Sequence, residues 1–265
     1  MRKMSLRRTV SCFVITLLLA IPARADEIRV MTSGAFTEAY LQLVEQFQKA
    51  THHKVVTTFG ASMGGAHDSI PVRLDRGEPA DVVIVIETAL EPLARSGHVV
   101  ASSRTPLARS TIGIAVRRGS PRPDISTVDA LRRTLLQAKS IAYSASASGT
   151  YVSTQLFARL GIEDQVKGKS RRIESERVGN VVARGEAEIG FQQISELLPI
   201  DGIQLVGPLP PEVQQVSIVS AAMATKATAR AAAKELIDFL TSPAASDTIQ
   251  RSGLEPVVVT PVLRN

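Results

Sequence analysis

The chain has 265 residues with 31 basic and 25 acidic side chains, a formal charge of +6 and a pI near 9.8. Five of the basic residues (Arg2, Lys3, Arg7, Arg8 and Arg24) and none of the acidic ones lie in the first 25 positions, which leaves 26 against 25 for the rest. With that near-neutral balance the overall pI says little about charge-driven binding to nucleic acid or membrane surfaces.

The first 25 residues read as an export signal. A basic start is followed by an apolar run from Thr9 to Ala20 and a small-x-small site at Ala23-Arg24-Ala25, so the mature chain is expected to begin at Asp26 in the periplasm. The apolar run falls well short of the roughly 20 residues that a membrane span needs. Arg7-Arg8 leaves the general and twin-arginine export routes both open. The single cysteine, Cys12, leaves with the signal. The mature chain is long enough to be stabilised by packing without disulfides.

From Glu27 to Met31 a short strand is expected, ending at Thr32-Ser33-Gly34. A helix follows with Phe36, Tyr40, Leu43, Val44 and Phe47 on one face. Lys54 to Phe59 reads as the second strand, and Gly60-Ala61-Ser62-Met63-Gly64 as a turn into a helix reaching about Arg76. Asp81 to Ile86 is apolar almost throughout, the pattern of a strand covered on both faces in a parallel sheet. Leu90 to Arg95 is a short helix closed by Gly97. A fresh set begins with the strand Ile112 to Val116, the helix Val128 to Lys139 and the strand Ile141 to Tyr143. A serine-rich loop through Ser148-Gly149 then leads into a helix from Tyr151 to Leu160. A short helix at Gly179 to Arg184, a strand at Glu188 to Gln193 and a strand at Val216 to Ala222 follow, and the tail is helical. The strand–helix alternation predicts an α/β fold with a parallel sheet.

Two chemistries compete for Ser62. Its G-x-S-x-G surroundings have the form of a hydrolase nucleophile elbow, which needs a base downstream. Only His67 and His98 follow it, and neither is spaced to serve. Adjacent His52 and His53 cannot share a face and do not make a metal site. Lys167, Lys169, Arg171 and Arg172 read as a solvated basic face. The better reading is an anion site. Small-residue loops at Ser33-Gly34, Ser62 to Gly65 and Ser148-Gly149 each end a strand and precede a helix, where N–H groups and hydroxyls can hold an oxyanion.

Glu27 to Ala35, Phe59-Gly60-Ala61-Ser62, Pro79-Ala80-Asp81-Val82, Arg184-Gly185-Glu186-Ala187-Glu188-Ile189-Gly190 and Phe239-Leu240-Thr241-Ser242-Pro243 carry a resemblance. The chain resembles the periplasmic molybdate-binding proteins of ABC importers over nearly all of its mature length. The resemblance implies a type II periplasmic binding fold, with two α/β lobes joined by a two-stranded hinge. Lobe 1 would hold residues 26–110 and 216–265, and lobe 2 residues 111–215. It implies that Ser33 with Gly34, Ser62 with Met63, Ser148 with Gly149, and Ser175 touch the ligand. Gln193 falls where the family has a ligand-touching tyrosine, and with the glycine-rich loop after Ser62 it marks a changed ring of donors.

The function expected on these grounds is capture of a small oxyanion of the molybdate or tungstate kind, handed as a monomer to an inner-membrane ABC permease. A small organic carboxylate is the alternative ligand. No catalysis, cofactor, metal or nucleic-acid partner is expected. A serine hydrolase using Ser62 is the remote alternative.

Overall fold

The computed structural model describes residues 25–174 and 176–257. The predicted signal before Ala25, Ser175 and the last eight residues of the expected first lobe lie outside the described residues. Among the described residues no helix is long and apolar enough to cross a membrane.

In chain order the elements begin with β1 (Glu27–Thr32), α1 (Thr37–Thr51), β2 (Lys54–Phe59), α2 (Ile70–Asp75), β3 (Val82–Ile86) and α3 (Glu87–Arg95). A long strand, β4 (Thr105–Arg117), leads to α4 (Val128–Gln137), β5 (Ile141–Ser144) and α5 (Ala147–Tyr151). The helix of α5 continues through a π turn at Val152–Leu156 into α6 (Phe157–Arg159). Next come α7 (Glu163–Lys167), β6 (Ser170–Ile173), α8 (Val178–Ala183), β7 (Ile189–Gln193), α9 (Ile194–Leu197) and β8 (Ile203–Pro208). The chain returns through β9 (Val216–Met223), α10 (Arg230–Leu240), α11 (Pro243–Arg251) and β10 (Glu255–Pro256).

The strands form one continuous ladder in the order β2-β1-β3-β9-β4-β7-β5-β6, with β8 and β10 also paired to β4. Parallel pairing joins β2, β1 and β3 at one end and β7, β5 and β6 at the other. Antiparallel β9 and β4 connect the two ends. β4 does this by dividing its length. Thr105 to Thr111 pair with β9, whereas Ile112 to Ala115 pair with β7.

The hydrophobic cores respect the same division. One cluster sets Phe36, just before α1, and Tyr40, Leu43 and Phe47 of α1 against Val30, Ile84 and Val219 of the sheet, and a second lies under α3 on the sheet's other face. Two more clusters take their buried members only from residues between Ile112 and Val213. Each fully buried aliphatic or aromatic side chain contributes roughly 1.5–3 kcal/mol through apolar burial. The fold is therefore two α/β lobes, each with its own core, joined where β4 and β9 run side by side.

Several local expectations change. The helix expected to reach about Arg76 is α2, which starts only at Ile70, and the chain from Ser62 to Ser69 is a loop. Ile70 N donates to Ala61 O at 3.0 Å and Ser69 Oγ to Gly64 O at 2.8 Å, closing the loop on itself before α2 begins. Gly64 takes φ +98°, a left-handed conformation that a helix interior excludes. The helix expected from Tyr151 starts at Ala147, with Ser146 in the capping position, so Ser148 lies inside its first turn rather than before it. β6 and β8 are strands beyond those expected, and β4 begins seven residues earlier than its apolar run at Ile112 suggests.

Candidate functional site

A cavity of about 470 Å³ lies in the cleft between the lobes. It is lined where β1, β2, β3, β5, β6 and β7 end, the edge at which open α/β sheets take their ligands.

The first lobe supplies Ser33, Gly34, Ser62 and Met63. Ser33 N donates to Ile84 O at 3.0 Å, which fixes the residue between β1 and the turn leading to α1. Its Oγ is buried and has no partner among the described residues. A buried hydroxyl is rarely left unpaired, and one facing a cavity is available to a ligand. Ser62 is held differently. Ile86 N donates to its Oγ at 3.2 Å, leaving the hydroxyl proton free to donate. No histidine lines the cavity. His53 is engaged with Asp26 and Glu235 and His98 with Asp75, while His67 lies exposed on the loop, so no histidine among the described residues is placed to activate Ser62.

The second lobe supplies Ser144 to Ala147, Arg172, Ile173, Glu174, Glu176, Arg177, Gln192, Gln193 and Glu196. Ser144, Ser146 and Ser148 form a hydroxyl cluster, with Oγ separations of 2.8, 3.1 and 3.4 Å. Of the three, Ser144 and Ser146 line the cavity, and Ser148 stands behind them. Gly149 is also behind the lining, where any Cβ would overlap the Ser144 carbonyl. Gln193 reaches the cavity wall, but its amide is committed to the hinge. Ser110 Oγ donates to its Oε1 at 2.8 Å, and its Nε2 donates to Ser217 Oγ at 3.3 Å, tying β7 to β4 and β9.

Sequence reasoning missed the charged part of the site. Arg172 faces the cavity from the end of β6, with its Nε 3.2 Å from Glu174. The basic cluster to which it belongs is not one face. Lys169 Nζ turns inward to donate to the carbonyls of Leu136 and Ala138, and Arg171 pairs with Glu186. Arg177 lines the cavity and pairs with Glu38 of α1 at 2.9 Å, across the cleft. A second bridge between the lobes runs from Ser195 Oγ to Ala35 O at 2.7 Å.

Glu196, on α9, is buried at the junction of the two lobes. Gln192 Nε2 donates to its Oε1 at 3.1 Å. Burial pushes its carboxyl up to about 7, against the opposing pull of Arg177 and the Gln192 amide. One sequence signal could have marked it: a lone carboxylate among the uncharged residues Ile194, Ser195, Leu197 and Leu198 directly after a buried strand.

Residues 28–255 match the family model described as bacterial extracellular solute-binding protein. A protein of Pseudomonas sp named aconitate isomerase is 44% identical over 234 residues, which is 88% of this chain and 89% of that one. The molybdate-binding protein ModA of Azotobacter vinelandii is 30% identical over 243 residues, 89% of this chain and 92% of its own. Among solved structures, the substrate-binding domain of a putative molybdenum ABC transporter from Clostridium difficile superposes with a TM-score of 0.67 at 20% identity, covering 88% of this chain and all of that domain. The fold is that of type II periplasmic binding proteins. The expectation of no catalysis does not stand, because the relative at 44% identity is named as an enzyme. That expectation rested on the missing histidine partner of Ser62. A proton transfer needs no such pair.

Proposed function

The chain belongs to the bacterial extracellular solute-binding proteins, and from that premise we propose that it holds a small unsaturated polycarboxylate between its lobes and isomerises it. The observation that carries this reading is the 44% identity to aconitate isomerase along nearly the whole of both chains. Aconitate is propene-1,2,3-tricarboxylate. Its cis and trans forms interconvert when a proton leaves the methylene carbon, the double bond moves by one position, and a proton returns to the carbon at the other end.

The cavity suits this chemistry better than it suits a metal oxyanion. Arg172 and Arg177 offer planar forks matched to carboxylates, and the hydroxyls of Ser33 and Ser62 add neutral donors. The signal-like first 25 residues support a periplasmic location.

A second reading is delivery of molybdate, as a monomer, to an inner-membrane ABC permease. The 30% identity to a molybdate-binding protein favours it. Proton NMR of the mature protein with cis-aconitate, run beside calorimetry with molybdate, tungstate and trans-aconitate, separates the two. Catalytic interconversion is expected. Heat with molybdate and no interconversion would replace the first reading with the second.

A further inference from the structure

We propose that Glu196 is the catalytic residue that carries the proton between the two carbons of the substrate. This rests on the isomerase reading of the same cavity. The geometry singles Glu196 out from the other acids of the lining. Asp68, Glu174 and Glu176 lie at the solvent-facing part of the site, and Glu174 is paired with Arg172. Glu196 alone among them is buried, and it is placed on both lobes at once. It is anchored on α9 of the second lobe, and its carboxyl lies over the backbone of Gly34 in the first.

The step balances within the site. A carboxylate oxygen of Glu196 takes a proton from the methylene carbon, breaking C–H and forming O–H. The released electron pair spreads over the allyl unit and into its carboxylates near the Ser33 hydroxyl, which has no partner among the described residues, while Arg172 and Arg177 face the carboxylate charge that the substrate carries throughout. The O–H bond then breaks as the same proton returns to the carbon at the other end, and the double bond closes beside the carbon first attacked. Glu196 ends ionised, as it began, with no oxidant or cofactor consumed. One base serving both carbons requires them on one side of the carboxyl, which a single buried group at the lobe junction provides.

Ionisation near neutrality suits a group that must both take and give a proton. Burial sets it, opposed by Arg177, itself paired with Glu38 of α1, and by the Gln192 amide; Arg172, Glu174, Glu176 and Asp68 are the other charged groups around the cavity.

The test compares the mature protein with Glu196→Gln and Glu196→Asp, using aconitate turnover by proton NMR and thermal stabilisation by trans-aconitate. Glu196→Gln is expected to keep the ligand-induced stabilisation and to lose 10²- to 10⁴-fold in kcat. Glu196→Asp is expected to retain partial activity with a displaced acid limb in its pH profile. Glu196→Gln turning over within threefold of wild type overturns the assignment and leaves the isomerase reading standing. If Glu196→Gln does not fold, Glu196→Asp decides, and wild-type kcat with an unmoved pH profile overturns the assignment. A wild-type protein that is stabilised by trans-aconitate but never interconverts it overturns both.

Discussion

Glu196 and Gly34 occupy adjoining space from opposite lobes, so closely that a Cβ on Gly34 would overlap Glu196 Oε1. Gly34 does not carry a positive φ, so glycine is required here for room and not for backbone freedom. Gly34→Ala is therefore expected to push the carboxyl aside while leaving the fold intact. A misplacement on the order of 1 Å costs roughly 10²-fold in rate. Turnover should fall by that order, with the melting temperature nearly unchanged. Steady-state kinetics beside a thermal melt checks this, and a large stability loss with normal kcat would count against it.

Ser33 yields a prediction of opposite sign in two measurements. Its buried Oγ has no partner among the described residues, so Ser33→Ala removes an unsatisfied group from the free protein. The free protein should be as stable as wild type or slightly more so, whereas trans-aconitate should bind about 5- to 100-fold more weakly, the equivalent of about 1–3 kcal/mol. Urea unfolding and calorimetry measure the two halves separately.

Arg172 is expected to act on binding. Replacement by Gln removes a charged fork at the end of β6 without touching either core. A charge-assisted contact contributes about 1.5–3 kcal/mol, so KM should rise by roughly 10- to 100-fold with kcat little changed. A fall in kcat at unchanged KM would instead assign it to the transition state.

Asp81 carries stability away from the site. Burial works against its ionisation, but the backbone N–H groups of Arg29, Ala229 and Thr228 outweigh it, at 2.8, 3.1 and 2.7 Å, and hold the carboxyl below its usual range. These bonds tie β1 to the start of α10. A depressed folded-state value means the contribution is present above the ordinary carboxylate range and is lost as pH falls through the folded value. Asp81→Asn should cost about 2–3 kcal/mol at pH 7, with the gap from wild type narrowing in urea titrations as pH falls below the ordinary carboxylate range.

Glu196 has the opposite sign. Its folded-state value, about 7, stands above the ordinary 4.5, so its contribution is complete below pH 4.5 and is lost as pH rises through 7. Unfolding of wild type and Glu196→Gln across pH 4.5–8 should show wild type losing up to about 3 kcal/mol relative to the variant. Parallel curves would mean that the carboxyl is not desolvated.

How much was legible in the chain follows from the range of the forces involved. The helical face of Phe36, Tyr40, Leu43 and Phe47 and the apolar β3 are visible because burial imprints its period on neighbouring residues. Ser33-Gly34 and Ser62 are visible because a small-residue loop must end a strand that feeds a ligand site. β6 and β8 carry no such period. Ser170-Arg171-Arg172-Ile173 is a strand because β5 offers it a ladder, and Ile203 to Pro208 because β4 does.

By itself the sequence determined the alternation of strands and helices, the small-residue loops at strand ends and the absence of a histidine partner for Ser62, since each is a matter of local composition and spacing. Only the tertiary structure decided which groups meet in the cleft. Residues far apart in the chain (Ser33, Ser62, Arg172, Arg177 and Glu196) converge because β4 and β9 fold one lobe against the other. The ionisation of Glu196 follows from that closure, because water is excluded by both lobes together and no local pattern records it.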